Sequence, residues 1–192
     1  MPKGFSEQEK NNIREKLIEA CKENWEKYGY KKTSIDELCL KVGISKGAFY
    51  LFFGSKEALF LETLSVIQIK LYDLIESILL KEQNKYGVAK ALKAVYAEYD
   101  KSPFLYDTSQ ADFTSFINKL SEEEKQSIFF DSLYGAKQMI EKPFLKLRIS
   151  EEKALSVMAS LLFLITGKDK LVCNHFDVFD FMLDHLIDDI FE

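Results

Sequence analysis

Apolar positions recur at helical spacing along most of the chain, and the polar residues between them mark where helices start and stop. Ser6 and Glu9 form the S-x-x-E arrangement of a capping box. A helix is expected from about Glu7 to Tyr28, with Ile13, Leu17, Ala20, Cys21 and Trp25 on one face and Gly29 ending it. Ser34 and Glu37 repeat the capping arrangement, and Ile35, Leu38, Cys39 and Val42 then share a face up to Gly43. Ser45 is placed to cap a further short helix carrying Lys46, Gly47, Ala48, Phe49 and Tyr50. Two short helices about a tight glycine turn make a helix-turn-helix, and the small Cys39 lets them approach closely.

A long helix is expected from Ser55 to about Leu80, with no Gly or Pro to interrupt it. The polar run 81–87 reads as a loop and Val88–Tyr99 as a helix, followed by a loop over 100–106 around Pro103. Another helix should start at Thr108 or Ser109. Ser121 and Glu124 form a third capping box, opening a helix that runs through Ile140 and is broken at Pro143. Ser150 caps a helix reaching about Thr166, and a final helix covers about Val178 to Phe191. No strand of adequate length and no repeat stands out. The expected fold is all-α with about nine helices: a three-helix module over 1–54, joined by the long helix to a helical domain over 55–192.

Composition changes this picture little. The chain has 192 residues, 47% of them hydrophobic, enough for a sizeable core. The N-terminus lacks the apolar segment of a signal peptide. The longest uncharged run, Ala154 to Gly167, is shorter than the ~18 apolar residues of a spanning helix. A cytoplasmic protein with no membrane partner is expected. The three cysteines form no metal pattern and read as reduced. The net charge of −5 argues against nucleic acid until the chain is divided. Residues 1–60 hold 11 Lys and Arg against 9 Asp and Glu, while the remainder holds 15 against 22. Only the first segment needs to face phosphates.

The start of the Ser45 helix is small and cationic, which suits a helix that approaches phosphates and base edges. Ser55 and Lys56 open the next helix, where free N–H groups also favour an anion. The run GISKGAFYLFFGSKEAL, preceded by Ala20, Trp25, Gly29-Tyr30 and Thr33-Ser34-Ile35, resembles the N-terminal signature of TetR-family transcriptional repressors. The resemblance covers about the first third of the chain. It implies a homodimer that inserts two helix-turn-helix modules into a palindromic DNA operator and is released by a small-molecule effector. Lys46 and Gly47 are then expected to approach base edges, and Thr33, Ser34, Ser45, Tyr50 and Lys56 to contact phosphates. Phe49 is placed either on a thymine methyl or in the core.

The resemblance further implies an effector-binding and dimerisation domain over 55–192, with the last two helices forming the dimer interface. Met158, Leu162, Phe179, Met182, Leu183, Leu186 and Ile190 are the expected interface positions. Aromatic density in the middle of the chain suggests a pocket for an apolar or aromatic ligand, with Phe104, Phe113, Phe116, Phe130 and Tyr134 as candidate lining and His175 at the rim. No nucleophile elbow, P-loop, dinucleotide fingerprint or metal motif is present, so neither catalysis nor a cofactor is expected. A DNA-binding dimer without an effector, or a small helical enzyme or carrier, remain the alternatives.

Overall fold

The structure is a computed structural model describing residues 6–102 and 110–192, with the backbone alone described at 129–134. The fold is all-helical. Nine α-helices are described: α1 (Glu7–Lys32), α2 (Ile35–Val42), α3 (Lys46–Phe49), α4 (Lys56–Leu79), α5 (Lys85–Lys101), α6 (Ala111–Ile117), α7 (Glu122–Ile140), α8 (Glu151–Leu162) and α9 (His175–Ile190). A 3-10 helix, η1 (Phe163–Lys170), stands between α8 and α9. Among the described residues there is no strand, only an isolated antiparallel bridge between Leu147 and Phe191. No helix among them is long and apolar enough to cross a membrane.

The helix starts follow from their caps. Ser6 and Glu9 close the full capping box of α1. The hydroxyls of Ser34, Ser45 and Ser150 accept from Glu37, Ala48 and Lys153 N–H groups. Ser55 does the same for Ala58 at 3.0 Å. Gly29 leaves helical geometry as expected, at φ 79° and ψ 175°, but one further turn resumes and carries α1 to Lys32. Two helix starts lie earlier than the apolar pattern indicates. α5 begins at Lys85, where Asn84 Oδ1 accepts from Tyr86 N–H, and α9 begins at His175, where Asn174 Oδ1 accepts from Phe176 N–H. The helix expected to reach Thr166 tightens into η1 after Leu162. The loop expected over 100–106 and the start expected at Thr108 or Ser109 fall largely outside the described residues; α6 itself begins after Gln110.

The chain packs as two units: residues 1–67 with 102–122, and residues 68–101 with 123–192. The first unit buries Leu17, Cys21, Trp25, Leu38, Phe49, Leu59 and Phe60 around α1, α2, α3 and the start of α4, and α6 packs on α1 in the same unit. Cys21 and Cys39 lie in this core, and burial pushes the Cys21 thiol up to about 12; Cys173 is exposed. In the second unit, α5, α8, η1 and α9 surround Val88, Leu92, Tyr96, Met158, Leu161, Phe179, Leu183 and Ile187. Tyr96 stacks on Phe179 with ring centroids 3.9 Å apart.

Candidate nucleic-acid interface

Gly43 makes the turn between α2 and α3. Its φ of 79° is left-handed, and the Gly43 and Ile44 N–H groups both donate to Cys39 O, at 2.9 and 3.0 Å. That double return satisfies the end of α2 and sets the start of α3 two residues later. Phe49 is fully buried beneath α3, with its ring 5.9 Å from Phe53. With the underside of α3 fixed in the core, Ser45, Lys46, Gly47 and Tyr50 are left exposed.

These exposed groups can bind a phosphodiester. The Ser45 hydroxyl accepts from Ala48 N–H at 3.1 Å, which leaves its proton free to be donated to a phosphate oxygen. The partly exposed Ser34 hydroxyl is in the same condition, accepting from Glu37 N–H at 3.2 Å. Lys46 Nζ pairs with Asp36 at 3.0 Å, and that carboxylate raises the ammonium pKa. Both side chains are more than half exposed, so exchanging Asp36 for a DNA acceptor costs little. Tyr50 is 51% exposed, its ring edge-on to Phe49.

The structure corrects two of the expected contacts. Thr33 is 1% exposed and its hydroxyl donates to Gly29 O at 2.8 Å, so its side chain faces inward. Phe49 is the core anchor, not a group for a thymine methyl. Lys56 is half-buried: Nζ donates to Tyr30 O and lies 4.0 Å from the centre of the Tyr30 ring. Burial lowers its pKa.

The sequence pattern does not reveal what braces this face. Arg14 Nε donates to Glu62 at 2.8 Å, Nη1 donates to Phe52 O at 2.9 Å, and Nη2 pairs with the same Glu62 carboxylate. The guanidinium also lies 4.5 Å from the centre of the Phe53 ring. One side chain on α1 thus ties α4 to the turn that follows α3. Tyr30 forms a second brace, its hydroxyl donating to Glu57; burial, with Glu57 beside it, pushes the phenol pKa up. The Gly29-Tyr30 pair was the only signal in the sequence that pointed to either brace.

The effector and dimer candidates are placed differently from expectation. Phe113 and Phe116 lie in the first unit, not the second. They are buried against Trp25, at centroid distances of 6.3 and 5.3 Å. His175 in the second unit is occupied within it: Nδ1 is 3.0 Å from the Tyr96 hydroxyl and Nε2 3.4 Å from Asp100, which also pairs with Lys168. Phe104, and the side chains of Phe130 and Tyr134, lie outside the described residues. The second unit has a recess of about 210 Å³ lined by Tyr72, Ile75, Glu76, Gly135 and Gln138, none of them among the expected residues. Of the interface candidates, Met158, Phe179, Leu183 and Ile190 are buried in their own unit's core, because the apolar stripe of α9 faces α5 and α8. Leu162 and Leu186 are half-buried and Met182 is exposed, as are Phe163 and Phe181, which the stripe does not include. Among the described residues, no group of three or more His, Cys, Asp or Glu side chains could hold a metal ion.

Residues 17–63, which span this entire face, match the family model of bacterial regulatory proteins, tetR family. Over those residues the chain is similar to tetR-family proteins. Two curated relatives, both from Bacillus subtilis (strain 168), are named as uncharacterized HTH-type transcriptional regulators. YuxN is 36% identical over 81 residues, covering 42% of this chain and 28% of YuxN. YdgC is 28% identical over 120 residues, covering 60% of this chain and 59% of YdgC. The chain therefore spans less than two thirds of the length of either relative. Among solved structures, the transcriptional regulator FadR from Bacillus subtilis, in complex with stearoyl-CoA, has the same fold at a TM-score of 0.69 and 14% identity, over 92% of this chain and 98% of FadR. The fold is thus shared along the chain, while the family-model match is confined to residues 17–63.

Proposed function

We propose that this chain is a tetR-family, ligand-responsive transcriptional repressor, acting in the cytoplasm as a homodimer on a palindromic operator. Residues 1–54 would read DNA, and residues 55–192 would bind the effector and dimerise. The observation that carries this reading is the exposure of Ser45, Lys46, Gly47 and Tyr50 on a turn anchored from behind by Phe49. Two such faces related by a two-fold axis would enter successive major grooves roughly 34–36 Å apart. Lys46 and the Gly47 backbone approach base edges, while Ser34, Ser45 and Tyr50 hold phosphates. Lys56 joins them only by releasing Tyr30.

Dimerisation is assigned to the outward side of η1 and α9. Phe163 on η1 and Phe181 and Met182 on α9 are exposed at 59, 65 and 37%, apolar surface that a second copy would cover isologously. A small apolar or aromatic effector in the second unit would favour a dimer whose reading heads have the wrong separation. The FadR complex supports this chemistry to the extent that the same fold holds a long acyl chain. A coupling of about 1–3 kcal/mol would change DNA affinity roughly 5–150-fold.

The test is selection of duplexes from a random-sequence pool, followed by affinity measurement at two salt concentrations. Wild type should enrich a palindrome. Lys46→Ala with Tyr50→Phe should weaken binding to it by about 1–3 kcal/mol, with less effect on random duplex. Enrichment of nothing, or an unchanged affinity in the double variant, would refute the assignment of this face.

A further inference from the structure

The end of α1 is held by a side chain 82 residues away. The left-handed step at Gly29 interrupts helical register, so Tyr30 and Lys31 begin a new turn whose N–H groups lack aligned carbonyls one turn earlier. Asp112, on the first turn of α6, supplies the acceptors. Its Oδ2 accepts from Tyr30 N–H at 2.5 Å and its Oδ1 from Lys31 N–H at 3.0 Å. The seat requires glycine: a Cβ at position 29 would lie 2.6 Å from Oδ2 and 2.7 Å from the carboxyl carbon. The turn it holds closes at Thr33, immediately before the Ser34 cap of α2. Tyr30 is at the same time bound through its carbonyl by Lys56 and through its hydroxyl by Glu57, both at the start of α4.

The chain connections make this contact more than a local cap. α6 packs with the reading module, yet the segment 102–122 that contains it is an insertion between two parts of the second unit. Before it runs α5, which ends at Lys101, and after it comes α7, which begins at Glu122. Two charge-assisted hydrogen bonds are strong enough to set a position and, being non-covalent, can be released.

We propose that Asp112 is a positioning residue: seated on the Tyr30 and Lys31 N–H groups, its carboxylate is a catch through which α6 fixes the entry to α2 and, with it, the DNA-reading pair. With the catch closed, the module reads DNA; when α6 withdraws, the α1–α2 joint loosens and specificity falls. The inference rests on the DNA-reading function proposed above and names how that face is regulated.

The experiment compares full-length wild type, Asp112→Ala, Gly29→Ala and the double variant. Amide hydrogen exchange at Tyr30 and Lys31 is read without DNA, and affinity is measured for the selected duplex and for a random duplex at one salt concentration. Asp112→Ala should speed exchange at both amides on the order of tenfold. It should also weaken selected-duplex binding on the order of tenfold. It removes a negative charge, so random-duplex binding should hold or strengthen. A merely structural bond would not lower the ratio of the two affinities. Gly29→Ala should lower the same ratio, and the double variant should lose less than the product of the single effects, because both break one contact. Unchanged exchange in Asp112→Ala, an unchanged affinity ratio, or fully multiplicative losses would each overturn the catch. A wild type that selects no duplex overturns the reading function instead, and is told apart because it requires no variant.

Discussion

Phe116→Ala is expected to destabilise the N-terminal unit by about 3–5 kcal/mol. Phe116 is fully buried, with Trp25, Tyr30, Phe60 and Phe113 ring centroids at 5.3, 5.5, 5.8 and 6.1 Å. Truncation leaves a cavity among four rings that belong to α1, α4 and α6 and cannot all close on it. Trp25 is the chain's only tryptophan, and its Nε1 is buried with no hydrogen-bond partner among the described residues. Its emission therefore reports this core, and water entering a loosened core reaches the indole first. Denaturant unfolding followed by tryptophan fluorescence should show the midpoint falling sharply. A variant with the wild-type midpoint would mean that α6 is not part of the module's core.

The second large effect concerns association. Phe181→Asp should convert the proposed dimer to a monomer in sedimentation at micromolar concentrations while leaving helical content intact. Phe181 is exposed in the single chain, so the charge stays solvated there, and only the proposed dimer would bury it. Central aromatic residues of an interface are each worth about 2–4 kcal/mol, and a two-fold axis applies the loss twice. Leu183→Asp, two residues further along α9, should behave oppositely. Leu183 is fully buried in its own unit, so an unpaired carboxylate there unfolds the chain. If Phe181→Asp sediments as a dimer, association uses another surface.

These two residues also show how far the sequence could be read. Helical periodicity identified α9 and its apolar stripe through Phe179, Leu183 and Ile190. A stripe says that a face is covered, not by what. Here the cover is α5 and α8 of the same chain, and the exposed Phe181 lies off the stripe. The caps at Ser6, Ser34, Ser45 and Ser150 were legible because each depends on residues within three positions. The place of Phe113 and Phe116 was not, since nothing local signals that α6 packs on α1. For the same reason Arg14 went unnoticed, its partners Phe52 and Glu62 being 38 and 48 residues away. In the reading face, Lys46 and Tyr50 followed from motif positions, whereas the inward turn of Thr33 depends on where Gly29 O lies after the kink.

The distribution of the three thiols gives the chain a built-in clock. Only Cys173 is accessible in the folded protein, while burial keeps Cys21 and Cys39 protonated inside the first unit. A maleimide should therefore attach once per chain within minutes. The second and third additions would mark each opening of the core around α1 and α2, so that mass spectrometry over time counts unfolding events in the reading module without any engineered label.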